Sequence, residues 1–133
     1  MAFWIEQVLH GAMIDEEIRL NAVERFKNLD LETDEEFQLL LQMASETCDT
    51  PIALLSLLDR DTQWLKTRKG VDVVQMPREL SFCTHTIQGD DVMVIPDATA
   101  DTRFANNPLV AGEPEVRFYA GAPLVHGHGQ QMG

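Results

Sequence analysis

Apolar residues recur at helical spacing over residues 14–29, near the start of this chain of 133 residues. Such spacing predicts an amphipathic helix, because residues three or four positions apart share one face. The predicted apolar stripe consists of Ile14, Ile18, Val23 and Phe26. The predicted polar side consists of Glu16, Glu17, Arg19, Glu24, Arg25 and Lys27. Residues 1–13 are expected to form a lead-in segment before this helix.

A second helix is predicted to follow a cap at Thr33 and to run to Cys48. Thr33-Asp-Glu-Glu36 matches the capping-box pattern, in which side chains satisfy the first free N–H groups of a helix. Acidic side chains there also suit the positive end of the helix dipole. The apolar positions that follow at helical spacing are Phe37, Leu40, Leu41, Ala44 and Cys48. Cys48 is therefore predicted to be a small buried apolar side chain.

Strands are predicted in the middle of the chain. Residues 52–58 form an almost unbroken apolar run, which is typical of a strand covered on both faces. Asp59-Arg-Asp61 predicts a hairpin turn, and residues 62–67 follow as a second strand that Gly70 closes. Residues 71–76 are expected to be a loop or irregular extended chain.

The next segment predicts a short helix over residues 81–89, followed by a strand. Ser81 can cap the start of this helix, and Gly89 can end it in a left-handed conformation. Residues 92–95 form a short apolar run of strand type. Pro96 stops that strand because proline cannot donate to a sheet ladder.

The last long pattern is an alternation of two faces over residues 116–125, which predicts another strand. The face expected to pack against the helices consists of Val116, Phe118, Ala120, Ala122 and Leu124. Small residues at 120–122 would let another backbone or a ligand approach closely. A turn at His126-Gly-His-Gly129 and the start of a further strand at 130–133 are expected to follow.

Several ordered motifs carry a resemblance to a known family. They are P-I-A-L-L-S-L-L-D-R-D-T-Q-W-L-K at 51–66, S-F-C-T-H-T-I at 81–87, V-I-P-D-A at 94–98, D-T-R-F-A-N-N-P-L-V at 101–110 and V-R-F-Y-A-G-A-P-L at 116–124. In this order they resemble the GAF domain found at the N-terminus of bacterial signalling proteins. The resemblance covers nearly the whole chain from about residue 18.

The resemblance implies an α+β fold with a central antiparallel sheet, two leading helices on one face and the short helix on the other. A GAF-like domain is expected over residues 14–133, with the last strand and helix of the family missing at its C-terminus. A missing central strand would leave unpaired N–H and C=O groups on its neighbours. The chain is then either a truncated piece or one whose open edge a partner covers.

The implied function is that of a non-enzymatic small-molecule sensor or regulatory domain in a bacterial signal-transduction protein. In relatives the output is commonly a histidine kinase or a cyclic-di-nucleotide enzyme domain of the same protein. The leading helix of such domains often pairs with its copy, which predicts a homodimer, although it could instead pack only on the sheet. A ligand-free dimerisation module is the alternative function. The residues name neither a ligand nor a cofactor.

The composition of the chain limits the classes of partner that it can bind and indicates its location in the cell. A net charge of −12 argues against nucleic acid and against an anionic membrane surface, since both repel an acidic protein. Apolar residues make up 44% of the chain, as in a globular domain, yet no run is long enough to span a bilayer. The start of the chain lacks the features of a signal peptide, so a cytoplasmic location is expected.

Cysteine and histidine offer limited candidate chemistry. Cys48 and Cys83 are expected to be reduced in a cytosolic domain. Cys83 near a helix N-terminus could be reactive with His85 as its base, as in a thiol enzyme or a tetrapyrrole carrier. Residues two apart on a helix point in different directions, however, which favours a buried thiol with His85 hydrogen-bonded at a pocket edge. His126 and His128 lack a third ligand nearby in sequence, so no metal site is predicted.

Seven residues are candidates for lining a ligand pocket: Arg78, Phe82, Cys83, His85, Asp97, Arg103 and Phe118. Arg103 could bind a carboxylate or phosphate bidentately, or it could belong to an internally salt-bridged loop with Asp97 and Asp101. Arg78 could hold a loop carboxylate or a bound anion. The sensing hypothesis requires that the segment around Phe82 and Ile95 closes one side of the sheet and leaves space for a guest.

Overall fold

The computed structural model of this chain describes residues 16–125 and 129–133. The lead-in segment at 1–13, Ile14, and both His126 and His128 lie outside the described residues. In chain order the helices and strands are α1 (residues 16–27), α2 (Glu35–Cys48), β1 (Ala53–Leu58), β2 (Thr62–Lys69), β3 (Gln75–Pro77), α3 (Cys83–Thr86), β4 (Met93–Ile95), α4 (Pro108–Ala111) and β5 (Tyr119–Gly121). Two 3-10 helices, Arg78–Leu80 and Ala98–Ala100, precede α3 and follow β4.

Helix α1 occupies the predicted region, but it buries a different face. Leu20, Ala22 and Val23 are buried together with Arg19, whose side chain was predicted to be on the polar side and is only 7% exposed. Ile18, predicted in the apolar stripe, is 45% exposed. The predicted stripe is therefore correct at Val23 and wrong at Ile18, because the guanidinium of Arg19 donates to a carbonyl at the end of β1 and turns that face inward.

Helix α2 begins one residue later than predicted. Its cap is Asp34 rather than Thr33, and the Asp34 carboxylate accepts the N–H groups of Glu36 and Phe37 at 2.9 and 3.2 Å. The side chains that α2 buries are Leu41 and Ser45, one turn apart. Cys48 is exposed, so its predicted burial is wrong. The chain leaves the helix directly after it, with a φ of 51° at Asp49.

The first sheet has the order β1-β2-β3 and is antiparallel throughout. Strand β3 forms where a loop or irregular chain was expected, because the backbone of Gln75–Pro77 pairs with the start of β2. Gly70 ends β2 with a φ of 84°, and a Cβ there would lie 2.2 Å from the Pro51 carbonyl oxygen. Only glycine fits this turn.

A β-bulge in β2 changes which side chains of this strand point to each face of the sheet. Ser56 pairs with Leu65, whereas the residue before Ser56 pairs with Thr67, so Lys66 is one extra residue in β2. Gln63 donates to Ser56 at 2.7 Å on the face towards α3. Thr67 donates at 2.7 Å to a carbonyl of the α1–α2 connection on the other face.

Helix α3 is shorter than predicted. The hydroxyl of Ser81 accepts the N–H of Cys83 at 3.0 Å, which confirms its predicted part in starting the helix. The helix ends at Thr86, before Gly89 is reached, and Gly89 does not have a positive φ. The predicted left-handed end at Gly89 is therefore wrong.

The second sheet consists of β4 and β5 alone, so the described residues form two small sheets where one was expected. Ile95 pairs with Tyr119, and Val94 pairs with Ala120. Tyr119 packs inward, whereas Phe118 is 40% exposed, which reverses the predicted faces of this strand at these two positions. The inward face of β5 is set by the ring of Tyr119, which packs on Phe82.

The last residues of the chain lie between the two sheets. The N–H of Leu58 in β1 donates to the Met132 carbonyl at 2.7 Å, and the N–H of Met132 donates to the Leu124 carbonyl at 2.7 Å. Val125 and Gln131 form an isolated antiparallel bridge. Residues 131–133 thus extend beside β1, as expected for the start of a further strand. No described helix is long and apolar enough to cross a bilayer.

Candidate functional site

An aromatic cluster fills the space between α3, β4 and the segment before α4. The rings of Phe82 and Phe104 stack with centroids 4.2 Å apart and an interplanar angle of 12°. Ile95, Ala98 and Val110 complete the buried group. The helix-then-strand order around Phe82 and Ile95 is as predicted, but the predicted space for a guest is occupied by the protein's own side chains.

A chain of polar groups runs along the edge of the aromatic cluster. The Tyr119 hydroxyl lies 2.7 Å from Thr86 Oγ1 and 3.4 Å from Cys83 Sγ. Cys83 Sγ accepts from Ser56 Oγ at 3.9 Å, and Ser56 in turn accepts from Gln63. Burial, and then the neighbouring thiol, raise the pKa of Tyr119, so the phenol stays protonated. These groups satisfy one another across the two sheets.

The small residue Gly121 makes room for Tyr119 itself. A Cβ at position 121 would lie 2.1 Å from the Tyr119 hydroxyl oxygen. The close approach predicted for residues 120–122 is thus made by a side chain of the same strand. It brings the hydroxyl of Tyr119 to Thr86 and Cys83.

His85 and Arg103 lie on the aromatic cluster without meeting Cys83. The His85 ring stands edge-on to Phe104 at 4.9 Å, and its Nδ1 atom is buried with no hydrogen-bond partner among the described residues. The predicted hydrogen bond of His85 is therefore not found at Nδ1. Burial, and secondly the charge of Arg103, lower the pKa of His85, which keeps the ring neutral.

The charged loop after β4 is internally paired. Arg103 holds the Asp101 carboxylate with Nε and Nη2 at 3.0 and 2.8 Å, and its guanidinium lies 5.1 Å from the Phe104 ring centroid. Hydrogen bonds from Arg103 lower the pKa of Asp101 to about 2. Asp97 accepts the N–H and hydroxyl of Thr99 at 3.0 and 2.6 Å. This arrangement is the salt-bridged loop, one of the two alternatives that the sequence left open.

Arg78 lies apart from the other candidates, in an ion-pair network that joins α1 to the sheet. Its Nη1 donates to Glu16 Oε1 at 2.6 Å and to the Asp59 carbonyl at 3.1 Å. Glu16 also accepts from Nε and Nη2 of Arg19, both at 2.9 Å. Burial acts to raise the pKa of Glu16, but the hydrogen bonds from Arg19 and Arg78 outweigh it and lower the pKa to about 2.

Sequence reasoning missed Glu16 and Arg19 as members of this network. Their spacing of three residues on a predicted helix was the available signal, since such a pair can form an ion pair. The partner Arg78, however, is 62 residues away in the chain. Only the fold brings it to α1.

Arg78 also lines an open cavity of about 430 Å³, which we call the arginine groove. Its walls are formed by Arg60, Asp61, Pro77, Arg78, Glu79 and Thr84. Arg60 is exposed and pairs with Glu17 Oε1 of α1 at 2.7 Å. The groove thus contains two arginines, each held by a carboxylate of α1.

The comparisons with known proteins agree with this architecture. The family model for the GAF domain matches residues 32–133. The chain belongs to the GAF domain family. GAF domains are sensor and regulatory domains of signalling proteins, so the resemblance in the motifs is confirmed together with the α+β fold class and the regulatory type of function.

This GAF domain is 44% identical over 119 residues to the cyclic di-GMP phosphodiesterase PA2567 of Pseudomonas aeruginosa. The alignment covers 90% of this chain but only 20% of that relative. The GAF domain therefore spans about a fifth of the length of the relative, which is a bacterial protein.

A solved structure supports the fold alone. The crystal structure of the A. Aeolicus nlh2 GAF domain in an inactive state superposes with a TM-score of 0.53 at 16% sequence identity. The superposition covers 89% of this chain and 75% of that one.

The GAF domain shows little that could support covalent or metal chemistry. Cys83 Sγ contacts the hydroxyls of Ser56 and Tyr119, which cannot act as bases for a thiol at neutral pH because their own pKa values lie above it. Among the described residues, no group of three His, Cys, Asp or Glu side chains is placed to hold a metal ion. Phe118, which is exposed and directly precedes β5, lies outside the aromatic cluster.

Proposed function

We propose that this GAF domain is the regulatory module of a bacterial protein whose output is a cyclic-di-nucleotide enzyme. The observation that carries the proposal is the 44% identity over 119 residues to a cyclic di-GMP phosphodiesterase. That relative favours a cyclic-di-nucleotide enzyme over a histidine kinase as the output. The GAF domain itself acts by shifting between packing arrangements and not by chemistry.

Helix α1 is the element best connected for passing on such a shift. Glu16 ties it to Arg78, and Arg19 ties it to the end of β1. The Arg78 carbonyl in turn accepts the Thr84 hydroxyl of α3 at 2.9 Å. A change beside α3 can therefore alter the docking of α1, provided that the change stabilises one arrangement more than the other.

A chimera with the relative tests this proposal. In PA2567, the aligned segment is replaced by this GAF domain, and hydrolysis of cyclic di-GMP is compared with intact PA2567 and with a variant that lacks the segment. We expect the chimera to behave like intact PA2567 and to differ from the deletion by about fivefold or more in rate, the low end of typical allosteric coupling.

Two substitutions in the chimera give matched controls. Glu16→Gln should shift the rate towards that of the deletion variant, because it weakens the docking of α1. Glu35→Gln removes the same charge from an exposed position of α2 and should leave the rate unchanged. Equal rates for the chimera and the deletion variant would contradict the proposed function.

A ligand-free homodimerisation module is the second candidate, and two observations favour it. The described side chains of the aromatic cluster pack on one another, and apolar side chains are exposed on both leading helices: Ile18 on α1, and Leu39, Leu40 and Met43 on α2. Light scattering on the purified chain tests it, with a dimer expected. Ile18→Glu should yield monomers if α1 forms the interface, whereas a wild-type monomer would contradict this candidate.

The proposal places the domain at residues 14–133 of a cytoplasmic protein. Its support is the family match over 32–133 and the docking of α1, through Arg19 and Glu16, onto the part that matches. The net charge of −12 disfavours contacts of the domain with nucleic acid and with anionic membrane surfaces.

A further inference from the structure

The edge of the guanidinium group that carries Nε and Nη2 is used differently by Arg19, Arg78 and Arg103. Arg19 and Arg103 each hold a carboxylate with Nε and Nη2, which is the bidentate edge. Arg78 makes its hydrogen bonds through Nη1 alone, to Glu16 and to the carbonyls of Asp59 and Arg60. Its Nε and Nη2 make no hydrogen bond to any described residue.

The free edge of Arg78 is accessible to solvent. Of the described side-chain N and O atoms outside exposed residues, His85 Nδ1 is the one that is buried without a partner. The unpartnered Nε and Nη2 of Arg78 are thus not sealed inside the protein, and Arg78 lines the arginine groove. An empty bidentate edge, fixed by three acceptors on its other side, is preorganised for an oxyanion.

Arg60 supplies a second cation to the same groove. It is exposed, and Glu17 of α1 holds its Nη2 at 2.7 Å. An exposed ion pair of this type contributes little free energy, so a ligand can displace Glu17 at low cost. Asp61 and Glu79 line the groove as well and would repel a bare polyanion. They favour an anion that also carries an ammonium or hydroxyl donor.

We propose that the arginine groove binds a small oxyanion that also carries donor groups, with its carboxylate or phosphate on the free edge of Arg78. The ligand recruits Arg60 from Glu17 and shares the charge of Arg78 with Glu16, and the weaker hold of Arg78 on Glu16 loosens the docking of α1. This inference names a ligand class and a site for the proposed regulatory function and rests on that function for its biological meaning. Binding itself can be measured on the chain without any output domain.

O-phospho-L-serine is the probe, since it carries a phosphate, a carboxylate and an ammonium group. Calorimetric titration of the 133-residue chain, at constant ionic strength, is compared with titration of inorganic phosphate. We expect phosphoserine to bind more tightly than phosphate. The Nε–H resonance of Arg78, assigned by its loss in Arg78→Lys, should shift during the titration.

Substitutions define the site. Arg78→Lys keeps the charge near Glu16 but removes the planar edge, and it should weaken phosphoserine binding by about tenfold or more, as expected for charge-assisted hydrogen bonds. Arg60→Met should weaken it as well. Glu17→Gln should tighten it several-fold, because it removes the competing carboxylate. Arg25→Lys, at an exposed position outside the groove, is the control and should not change the affinity.

Hydrogen exchange reads out the effect on α1. Binding at the groove should speed the exchange of amides in residues 16–27 and leave those of β4 and β5 unchanged. Heat of binding without a shift of the Arg78 Nε–H signal, or an affinity equal in wild type and Arg78→Lys, would overturn the site. Unchanged exchange in α1 would overturn the coupling. A failed chimera with a confirmed site would instead contradict the proposed function alone.

Discussion

The aromatic cluster around Phe104 and the arginine groove around Arg78 differ in whether their polar groups are available to bind a ligand. In the cluster, the rings stack, the hydroxyls pair with one another, and Arg103 is fully engaged with Asp101. In the groove, Nε and Nη2 of Arg78 have no hydrogen-bond partner among the described residues, and Arg60 has a partner that it can exchange at low cost. The family motifs centre on the first region, whereas the second retains binding capacity.

The comparison explains why a family motif is a poor guide to a ligand. Residues 81–87 are specific for the family because they build a wall that must pack tightly. Three of the seven candidate residues, Phe82, His85 and Arg103, contact the Phe104 ring directly. Of the seven candidates, Arg78 lines the arginine groove, and its carboxylate partner Glu16 belongs to α1, which the motifs do not include.

The largest effect on stability is expected from removing a ring of the aromatic cluster. Phe104 is 1% exposed, so Phe104→Ala should lower the free energy of unfolding by about 3–5 kcal/mol through lost burial and the cavity left behind. Urea unfolding followed by circular dichroism measures it. Phe118→Ala, at an exposed ring, is the control and should cost less than about 1 kcal/mol. Similar losses of stability for both variants would show that the aromatic cluster is not the core of this part of the domain.

Breaking the ion-pair network of α1 should have the next largest effect. Glu16→Gln removes the negative charge and one of the two acceptor oxygens beside the buried guanidinium of Arg19, and should cost about 2 kcal/mol, below the value for fully buried pairs because Glu16 is partly exposed. Glu17→Gln should be almost neutral in the same unfolding assay. A neutral Glu16→Gln would mean that α1 docks without the network.

The pH dependence of stability should report the same carboxylate. The pKa of Glu16 is about 2 in the folded protein and 4.5 in its unperturbed state, so the unfolded chain takes up the proton first. The stabilisation from Glu16 is complete above pH 4.5 and is lost as the pH falls towards 2. Unfolding curves over this range should be steeper in pH for wild type than for Glu16→Gln, and parallel pH profiles would argue against the network.

A smaller effect is expected at the polar edge of the cluster. Tyr119→Phe removes the hydroxyl that lies between Thr86 and Cys83, and should cost about 1–2 kcal/mol because buried polar partners lose a hydrogen bond. The thiol of Cys83 should also react faster with a maleimide probe, since its neighbour is gone. Unchanged stability and thiol reactivity would show that this chain of polar groups contributes nothing.

The smallest effect concerns the protonation of His85. Burial and Arg103 lower its pKa below the ordinary value of 6.5, so the folded state disfavours the charged ring. This contribution to stability is present above pH 6.5 and diminishes as the pH falls below it. NMR titration of the ring should give a midpoint below 6.5, and Arg103→Gln should raise that midpoint. A wild-type midpoint at or above 6.5 would contradict the placement of His85.

Local patterns predicted much of the fold because they depend on neighbours in sequence. The order α1, α2, β1, β2, α3, β4 and β5, the hairpin between β1 and β2, and the capping by Ser81 all follow from periodicity and turn chemistry, whereas β3 and α4 were not predicted. The face that α1 buries does not, because it depends on a carbonyl of Leu58 that lies 39 residues away from Arg19. The position of Cys48 was missed for a related reason: spacing shows a stripe but not how far the sheet extends beneath it.

The candidate site was harder to predict because the availability of each arginine depends on which carboxylates compete for it. Sequence placed Arg78 and Arg103 in the same class, as possible anion receptors. The fold gave Arg103 a carboxylate two residues away and left one edge of Arg78 without one. Which arginine stays available is decided by the carboxylates nearest in space, and residue spacing alone carries no information on that.

The extra residue in β2 has a consequence for how this sequence can change length. Because Lys66 is an extra residue in the pairing, Gln63 points to the face of the sheet that carries Cys83, whereas Thr67 points to the face covered by the leading helices. Deleting Lys66 would remove the bulge but keep Ser56 opposite Leu65 and Leu55 opposite Thr67, so Gln63 and Thr67 would keep their faces and their partners. Relatives that lack this extra residue should therefore retain both contacts with a regular β2.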